Sequence, residues 1–468
     1  MMTGAATVAY GEAQTPCVCL MIPYESVKKV LIEQSDISDI FVSAFIVRRA
    51  LLMQKGLSNL QIVGSTLSPD TYRIQAFLMG NSIPHNLINT DKMQDVEVFI
   101  ETLGVTLEQL PLVIESGTNI HKNPSNAELA ELTGTGSVQS VDDSYDVAVI
   151  GAGPAGLAAS INAASEGWKV LLIDASGPGG QSSGSAKIEN YMGFPTGISG
   201  RELAEKGAFQ AQKFGVQIAS NQAAEAIQRN GDFYTITLKS GGAVAARAVI
   251  ISTGAQYQKL AVANLADYEG RGVFYGSTGV EAAACKGKDV AIVGAANSAG
   301  QAAVFLSKHA KTVYMFVRAE KFRMSTYLKR RIESAPNIIP VFSAEITALN
   351  GTNGALESIN VYHKQSNENE HLHIKHVFSF IGATPCTQWL NDLVPMDDKG
   401  FIKTGNAISP EELDDAHWPL TRSPEMFETA LPMLFAVGDV RSGSSKRVAS
   451  AVGQGSVCIG SVDRLLQS

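Results

Sequence analysis

The chain has 468 residues, of which 45% are hydrophobic and 18% charged, and its formal net charge is −8. A chain of this size and balance folds into two to four domains with cores of their own. The acidic charge argues against broad binding to nucleic acid or anionic membrane, and no apolar run approaches the roughly 20 residues that cross a bilayer. The N-terminus lacks a signal pattern, so the expected location is cytoplasmic.

Residues 24–56 carry a helical pattern, with Ile40, Phe41, Ala44, Phe45, Val47 and Leu51 at spacings of three and four. A small α/β alternation follows over residues 58–133. "LQIVGS" reads as a strand, Asp70–Met79 as a helix, "HNLINT" as a strand and Met93–Leu103 as a helix. "LPLVIESG" reads as a further strand, and "NPSNAELAEL" as a capped helix. The polar run "GTGSVQSVDDS", residues 134–144, is a linker and the clearest boundary.

Two strand–glycine turn–helix units follow. In the first, Gly151-Ala152-Gly153-Pro154-Ala155-Gly156 comes after the apolar strand Val147–Ile150 and opens a helix. Gly151 permits the tight turn, Gly153 lets backbone N–H groups approach a pyrophosphate, and Gly156 lets the helix pack close to the sheet. The helix N-terminus directs partial positive charge at the phosphates. Asp174 closes the next strand, where a carboxylate can accept ribose hydroxyls.

In the second unit, Gly294-Ala295-Ala296-Asn297-Ser298-Ala299 follows "DVAIV" and starts a helix. Ala296 holds the position where glycine normally lets a pyrophosphate approach, so its methyl is expected to weaken binding. Arg318 ends the following strand, where an arginine can take a 2′-phosphate, and Arg323 lies five residues on. Two doubly wound, Rossmann-like dinucleotide-binding domains are therefore expected.

Further motifs are "GGQ" at Gly179–Gln181, "IENYMGFPTGISGREL" from Ile188, "ISTGA" with Thr253 and Gly254, and "LFAVGDVR" ending at Arg441. On these, residues 145–468 resemble the low-molecular-weight thioredoxin-reductase-like branch of the pyridine nucleotide–disulfide oxidoreductases. The resemblance implies an FAD domain split around an NAD(P)H domain: 145–264 and 385–468 for FAD, 265–384 for NAD(P)H. It implies that Gly180 and Gln181 line the flavin, that Asn190 sits beside the isoalloxazine, and that Asp439, after Gly438, holds the ribityl chain. Lys446-Arg447-Val448 would start the last helix at the flavin pyrimidine end, where positive charge stabilises the reduced ring. Gly453 and Gly455 within that helix are expected to serve close backbone packing. The family's arginine-rich motif is reduced here to Val317-Arg318-Ala319 with Arg323, so NADPH is preferred to NADH, with loss of nicotinamide binding left open. The family also implies a homodimer.

Thioredoxin reductases carry CxxC and an aspartate just before the second glycine turn. Here those positions fall on Gly276, Gly279 and Val280, within Gly276-Ser277-Thr278-Gly279-Val280. No thiolate stands there to exchange disulfides. Open space is expected at the two glycines, with Ser277 and Thr278 either bonding a substrate or flavin edge or satisfying a turn. Glu281 is read as a solvated helix-start residue rather than a proton donor.

The module at 58–133 resembles a thioredoxin or glutaredoxin fold, with Ser65-Thr66-Leu67-Ser68 where such proteins carry CxxC. The helical stretch before it, residues 1–57, resembles the tail of a cyclic-nucleotide-binding domain but is too short to contain its barrel. Cys17, Cys19, Cys285, Cys386 and Cys458 are read as buried or incidental thiols, since Cys17-Val18-Cys19 fits neither a redox CxxC nor a zinc knuckle. His371 and His373 share one strand face without further ligands nearby, and no metal is expected.

The expected protein is an FAD-dependent, NAD(P)H-linked oxidoreductase without disulfide reductase chemistry. Its flavin would pass electrons directly to oxygen, a quinone, a ferredoxin-like protein or a small organic substrate. An FAD-only oxidase and a non-catalytic flavin-binding sensor or scaffold are the alternatives.

Overall fold

The computed structural model describes residues 15–54, 58–66, 68–81, 83–135, 144–185, 187–277, 279–352 and 354–467. Its contacts divide the chain into two units. The first comprises Met1–Gly180, Ala204–Gly254 and Cys386–Ser468, and the second Gln181–Leu203 and Ala255–Pro385.

In the first unit the N-terminal helical pattern becomes two helices, Tyr24–Glu33 and Ser35–Gln54, on which Ile40, Phe41, Val47 and Leu51 are exposed. After them stands a four-stranded sheet ordered Asn86–Asn89, Leu60–Gly64, Leu112–Glu115, Asn119–Lys122. The first pair is parallel and the other two antiparallel. The last strand is absent from the sequence reading. It forms because Ser116 and Gly117 both take positive φ and turn the chain back on itself. Ser68 caps the helix Pro69–Gly80, and Ser125 with Glu128 forms a capping box on Asn126–Thr133. The helix expected from Met93 begins only at Val96, after a short 3-10 turn.

The larger sheet of this unit runs Gln217–Ser220, Val170–Asp174, Ser144–Ile150, Ala243–Ile251, Phe233–Leu238, Ala224–Asn230, and Leu434–Ala436 also pairs with Ala243–Ile251. The strands around Ser144–Ile150 are parallel, and buried on both faces they read as continuous apolar runs. Val147, Val149, Leu172 and Ile250 pack with Ala155 and Ala159 of the helix Pro154–Ser165 and Ile459 and Val462 of the helix Val448–Gln467.

The second unit has a fully parallel five-stranded sheet ordered Val273–Phe274, Val377–Ser379, Asp289–Val293, Thr312–Val317, Ile338–Phe342. Ala299, Ala303 and Leu306 of the helix Asn297–Leu306 and Leu328 and Ile332 of the helix Thr326–Glu333 cover one face. An antiparallel sheet of Ala344–Thr352, Ala355–His363 and Glu368–Leu372 covers the other through Ile346, Leu349 and Ile359. The strand ends at Leu372, so His373 lies beyond it, although its ring still meets that of His371 edge-on. Among the described residues no helix is long and apolar enough to cross a membrane.

Candidate functional site

The first glycine turn is held by close approach. Gly151 has φ +106°, and a β-carbon there would stand 2.4 Å from the Ser252 carbonyl oxygen. A β-carbon on Gly156 would meet the Gly151 carbonyl at 1.8 Å, so the start of the helix lies directly on the turn. Gly153, the N-cap residue, faces nothing within 4 Å, and Pro154 occupies the first helical position. The result is an open cradle in front of unpaired helix N–H groups, which suits a pyrophosphate.

Asp174 closes this cradle from the neighbouring strand. Its Oδ2 accepts from the Ala152 N–H at 2.6 Å, and its Oδ1 from those of Ser176 and Gly177 at 2.8 and 2.7 Å. Burial pushes the Asp174 carboxyl up, and the three N–H donors oppose that shift.

The C-terminal motif completes the first site. Gly438 N–H and Arg441 Nε both donate to Gln454 Oε1, which ties the turn to the last helix. A β-carbon on Gly438 would stand 2.8 Å from that of Ala155. Asp439 carries a buried Oδ1 with no hydrogen-bond partner, and burial pushes its carboxyl up against the opposing charge of Lys446. A ribityl hydroxyl is the kind of donor this oxygen lacks, so the residues present fit FAD. Lys446 donates to the Asp439 carbonyl at 3.0 Å and lies over the Phe401 ring. Arg447 is exposed, and the helix begins at Val448. Thr253 donates to the Cys386 carbonyl and Gly254 accepts from the Cys386 N–H, joining the portion of this unit that ends at Gly254 to the one that begins at Cys386.

Of the glycines in the last helix, only Gly455 answers to packing, because a β-carbon there would stand 2.2 Å from the Ala155 carbonyl. Gly453 is exposed with nothing within 4 Å, which corrects the expectation for that position.

The second unit repeats the turn. Gly294 has φ +149°, and Ala296 is the N-cap of the helix Asn297–Leu306 with φ −97° and ψ −178°, against −70° and −178° at Gly153. The Ala296 methyl thus projects where the first turn leaves a gap. Asn297 Oδ1 accepts from the Ser325 N–H, Ser298 Oγ bonds the Tyr257 hydroxyl, and Ala299 is fully buried beside Gly294. Arg318 and Arg323 are both exposed.

A small cleft opens in the second unit, lined by Gln181, Lys187, Tyr257, Tyr275, Ser277 and Ser298 among others, with no sulfur among its lining residues. Ser277 N–H donates to the Gly184 carbonyl at 3.3 Å, and Ser185 and Ser277 form a parallel bridge. At Gly276 a β-carbon would make only ordinary van der Waals contact, its nearest neighbour being the Gly184 carbonyl oxygen at 3.4 Å, and the residue lines the cleft. Gly279 starts the short helix to Ala284, and Thr278 lies outside the described residues. Glu281 is buried, contrary to its reading as a solvated residue. Gly180 lies beside Gly153 in the first unit, whereas Gln181 and the exposed Asn190 belong to the second.

Sequence reasoning missed a cluster centred on Glu189. Its carboxylate accepts from Lys187 Nζ at 2.7 Å, the Tyr327 hydroxyl at 2.6 Å and Arg331. Tyr327 and Arg331 are four apart on one helix, a visible signal, but Glu189 lies 138 residues from Tyr327 and nothing local announces it. Among the described residues no group of three or more His, Cys, Asp or Glu side chains is placed to hold a metal.

Residues 145–455 match the family described as pyridine nucleotide-disulphide oxidoreductase. The thioredoxin reductase of Bacillus subtilis is 29% identical over 323 residues, covering 69% of this chain and 95% of its own. The mitochondrial thioredoxin reductase 2 of Saccharomyces cerevisiae is 30% identical over 333 residues, covering 68% and 90%. Among solved structures, that of T. acidophilum thioredoxin reductase aligns with a TM-score of 0.62 at 28% identity, covering 69% of this chain and 99% of that one.

Proposed function

Because the chain belongs to the pyridine nucleotide–disulphide oxidoreductase family and is an FAD- and NAD(P)H-linked flavin oxidoreductase of thioredoxin-reductase-like fold, we propose that it passes electrons from flavin directly to an acceptor other than a disulfide. The observation that carries this reading is the cleft beside Gly276 and Ser277, whose lining holds hydroxyls, amides and one lysine but no thiol. Disulfide exchange needs a thiolate nucleophile, and Cys285 is fully buried with its thiol pushed up to about 12 by burial.

Bound flavin supplies hydride acceptance and one- or two-electron release. The chain's residues do the holding. The Gly153 cradle and the N-terminus of the helix Pro154–Ser165 bind the pyrophosphate, Asp174 takes the adenosine ribose, and Asp439 takes a ribityl hydroxyl. Lys446, Arg447 and the start of the helix Val448–Gln467 place positive charge at the pyrimidine edge. Arg318 and Arg323 take the 2′-phosphate of NADPH. The acceptor is oxygen, a quinone, a ferredoxin-like protein or a small organic molecule. A cytoplasmic homodimer without nucleic-acid or membrane partners belongs to the same reading, supported by family resemblance and the net charge of −8.

A second reading, an FAD-only oxidase, is favoured by the Ala296 methyl at the nicotinamide-side helix N-cap. Anaerobic stopped-flow mixing of the yellow protein with NADPH decides between them. The main reading expects rapid bleaching, recovery on admitting oxygen or a quinone, and no recovery with a disulfide substrate. Bleaching by a metabolite alone supports the oxidase, and fast NADPH-driven disulfide reduction overturns both.

A further inference from the structure

Cys17 and Cys19 stand apart from the other thiols. Their Sγ atoms are 3.7 Å apart, both are exposed, and both are free. The remaining three are shielded: Cys285 and Cys458 are buried, Cys386 is half-buried, and burial raises the pKa of each. Since only the thiolate attacks a disulfide, shielding leaves this pair as the chain's accessible sulfur nucleophiles.

From this geometry we infer that Cys17-Val18-Cys19 is a reversible redox dithiol whose substrate is a disulfide, either a low-molecular-weight one or one on another protein. One thiolate attacks a sulfur of the incoming disulfide, forming a mixed disulfide and releasing one thiol. The second thiolate then attacks the protein-side sulfur, closing the Cys17–Cys19 bond and releasing the second thiol. Two electrons pass from the dithiol to the incoming disulfide, whose two sulfurs leave with the two protons. One intervening residue places the Cα atoms about 6.6 Å apart at full extension, near the upper end of the range a disulfide spans. The closed form is therefore readily reduced by two incoming thiols, which leave joined as a disulfide after the reverse of the same exchanges, and the pair cycles rather than locks. Exposed Val18, Leu20 and Met21 leave the approach to both sulfurs uncovered.

The test uses the reduced full-length chain, equilibrated anaerobically with oxidised and reduced glutathione at a series of ratios, then alkylated, digested and weighed. The expected result is loss of both alkylation sites in a single step, with the peptide two hydrogens lighter, and their return when reduced glutathione is restored. C17S and C19S should each retain one bound glutathione at the remaining thiol, because no neighbour expels it. A wild-type peptide that carries two glutathiones, stays alkylated at both sites throughout, or links two chains overturns the inference.

Discussion

A β-carbon on Gly455 would stand 2.2 Å from the carbonyl oxygen of Ala155, whereas one on Gly453, two residues earlier, would meet nothing within 4 Å. The two glycines cost the helix Val448–Gln467 the same intrinsic propensity, but only one is repaid by packing. Gly455→Ala should lower stability by about 1–3 kcal/mol through forced separation of two helices. Gly453→Ala should raise it by up to about 1 kcal/mol. Urea unfolding midpoints of the two variants check both signs, and equal shifts would refute the distinction.

Ala296 and Gly153 occupy the same N-cap position of two related turns with nearly the same ψ, and differ by one methyl in front of the helix. If NADPH binds there, Ala296→Gly removes a crowding of order 1 kcal/mol, which lowers KM for NADPH roughly five-fold. With kcat unchanged, the effect is one of uniform binding. An unchanged KM would mean that no phosphate approaches this turn.

Both glycine turns were legible because each needs a particular residue at a particular offset from an apolar strand. Gly151 and Gly156 touch backbone that would exclude any side chain, and such exclusions leave a mark on sequence. The approach of Gly184 to Gly276 is not legible in the sequence, because the two lie 92 residues apart. Local charge alone reads Glu281 as a solvated residue, but burial is set by elements that local pattern does not name. Glu189 is invisible for the same reason, its partners Tyr327 and Arg331 lying 138 and 142 residues away.

Glu189 predicts an acid-sensitive second unit. Burial raises its pKa, but bonds from Lys187, Tyr327 and Arg331 more than offset this and hold it below the ordinary value of 4.5. A depressed carboxylate contributes stability above its unfolded pKa and loses it as pH falls through the folded one. The contribution should therefore be intact at pH 7 and decline from about pH 4.5 downward. Glu189→Gln should lower the urea midpoint at pH 7 by the equivalent of roughly 1 kcal/mol and flatten its fall between pH 5 and pH 3. A variant that keeps the wild-type pH slope would show that the cluster carries no such coupling.

Asp439 predicts the opposite sign. Burial raises its pKa above the ordinary 3.8, so the flavin-free fold holds a proton there more tightly than the unfolded chain does. Its contribution to the stability of the apoprotein is then greatest below the ordinary carboxylate range and falls as pH rises through the raised value. Asp439→Asn removes the buried charge and should stabilise the apoprotein at neutral pH by on the order of 1 kcal/mol. The same change weakens the acceptor offered to a ribityl hydroxyl and should lower FAD affinity about ten-fold, because bonds to a charged acceptor are the stronger kind. Calorimetry of the apoprotein and flavin titration by fluorescence read the two effects separately. If Asp439 holds the ribityl chain, the substitution moves them in opposite directions, since the charge that burdens the empty fold is the one the cofactor's hydroxyl satisfies.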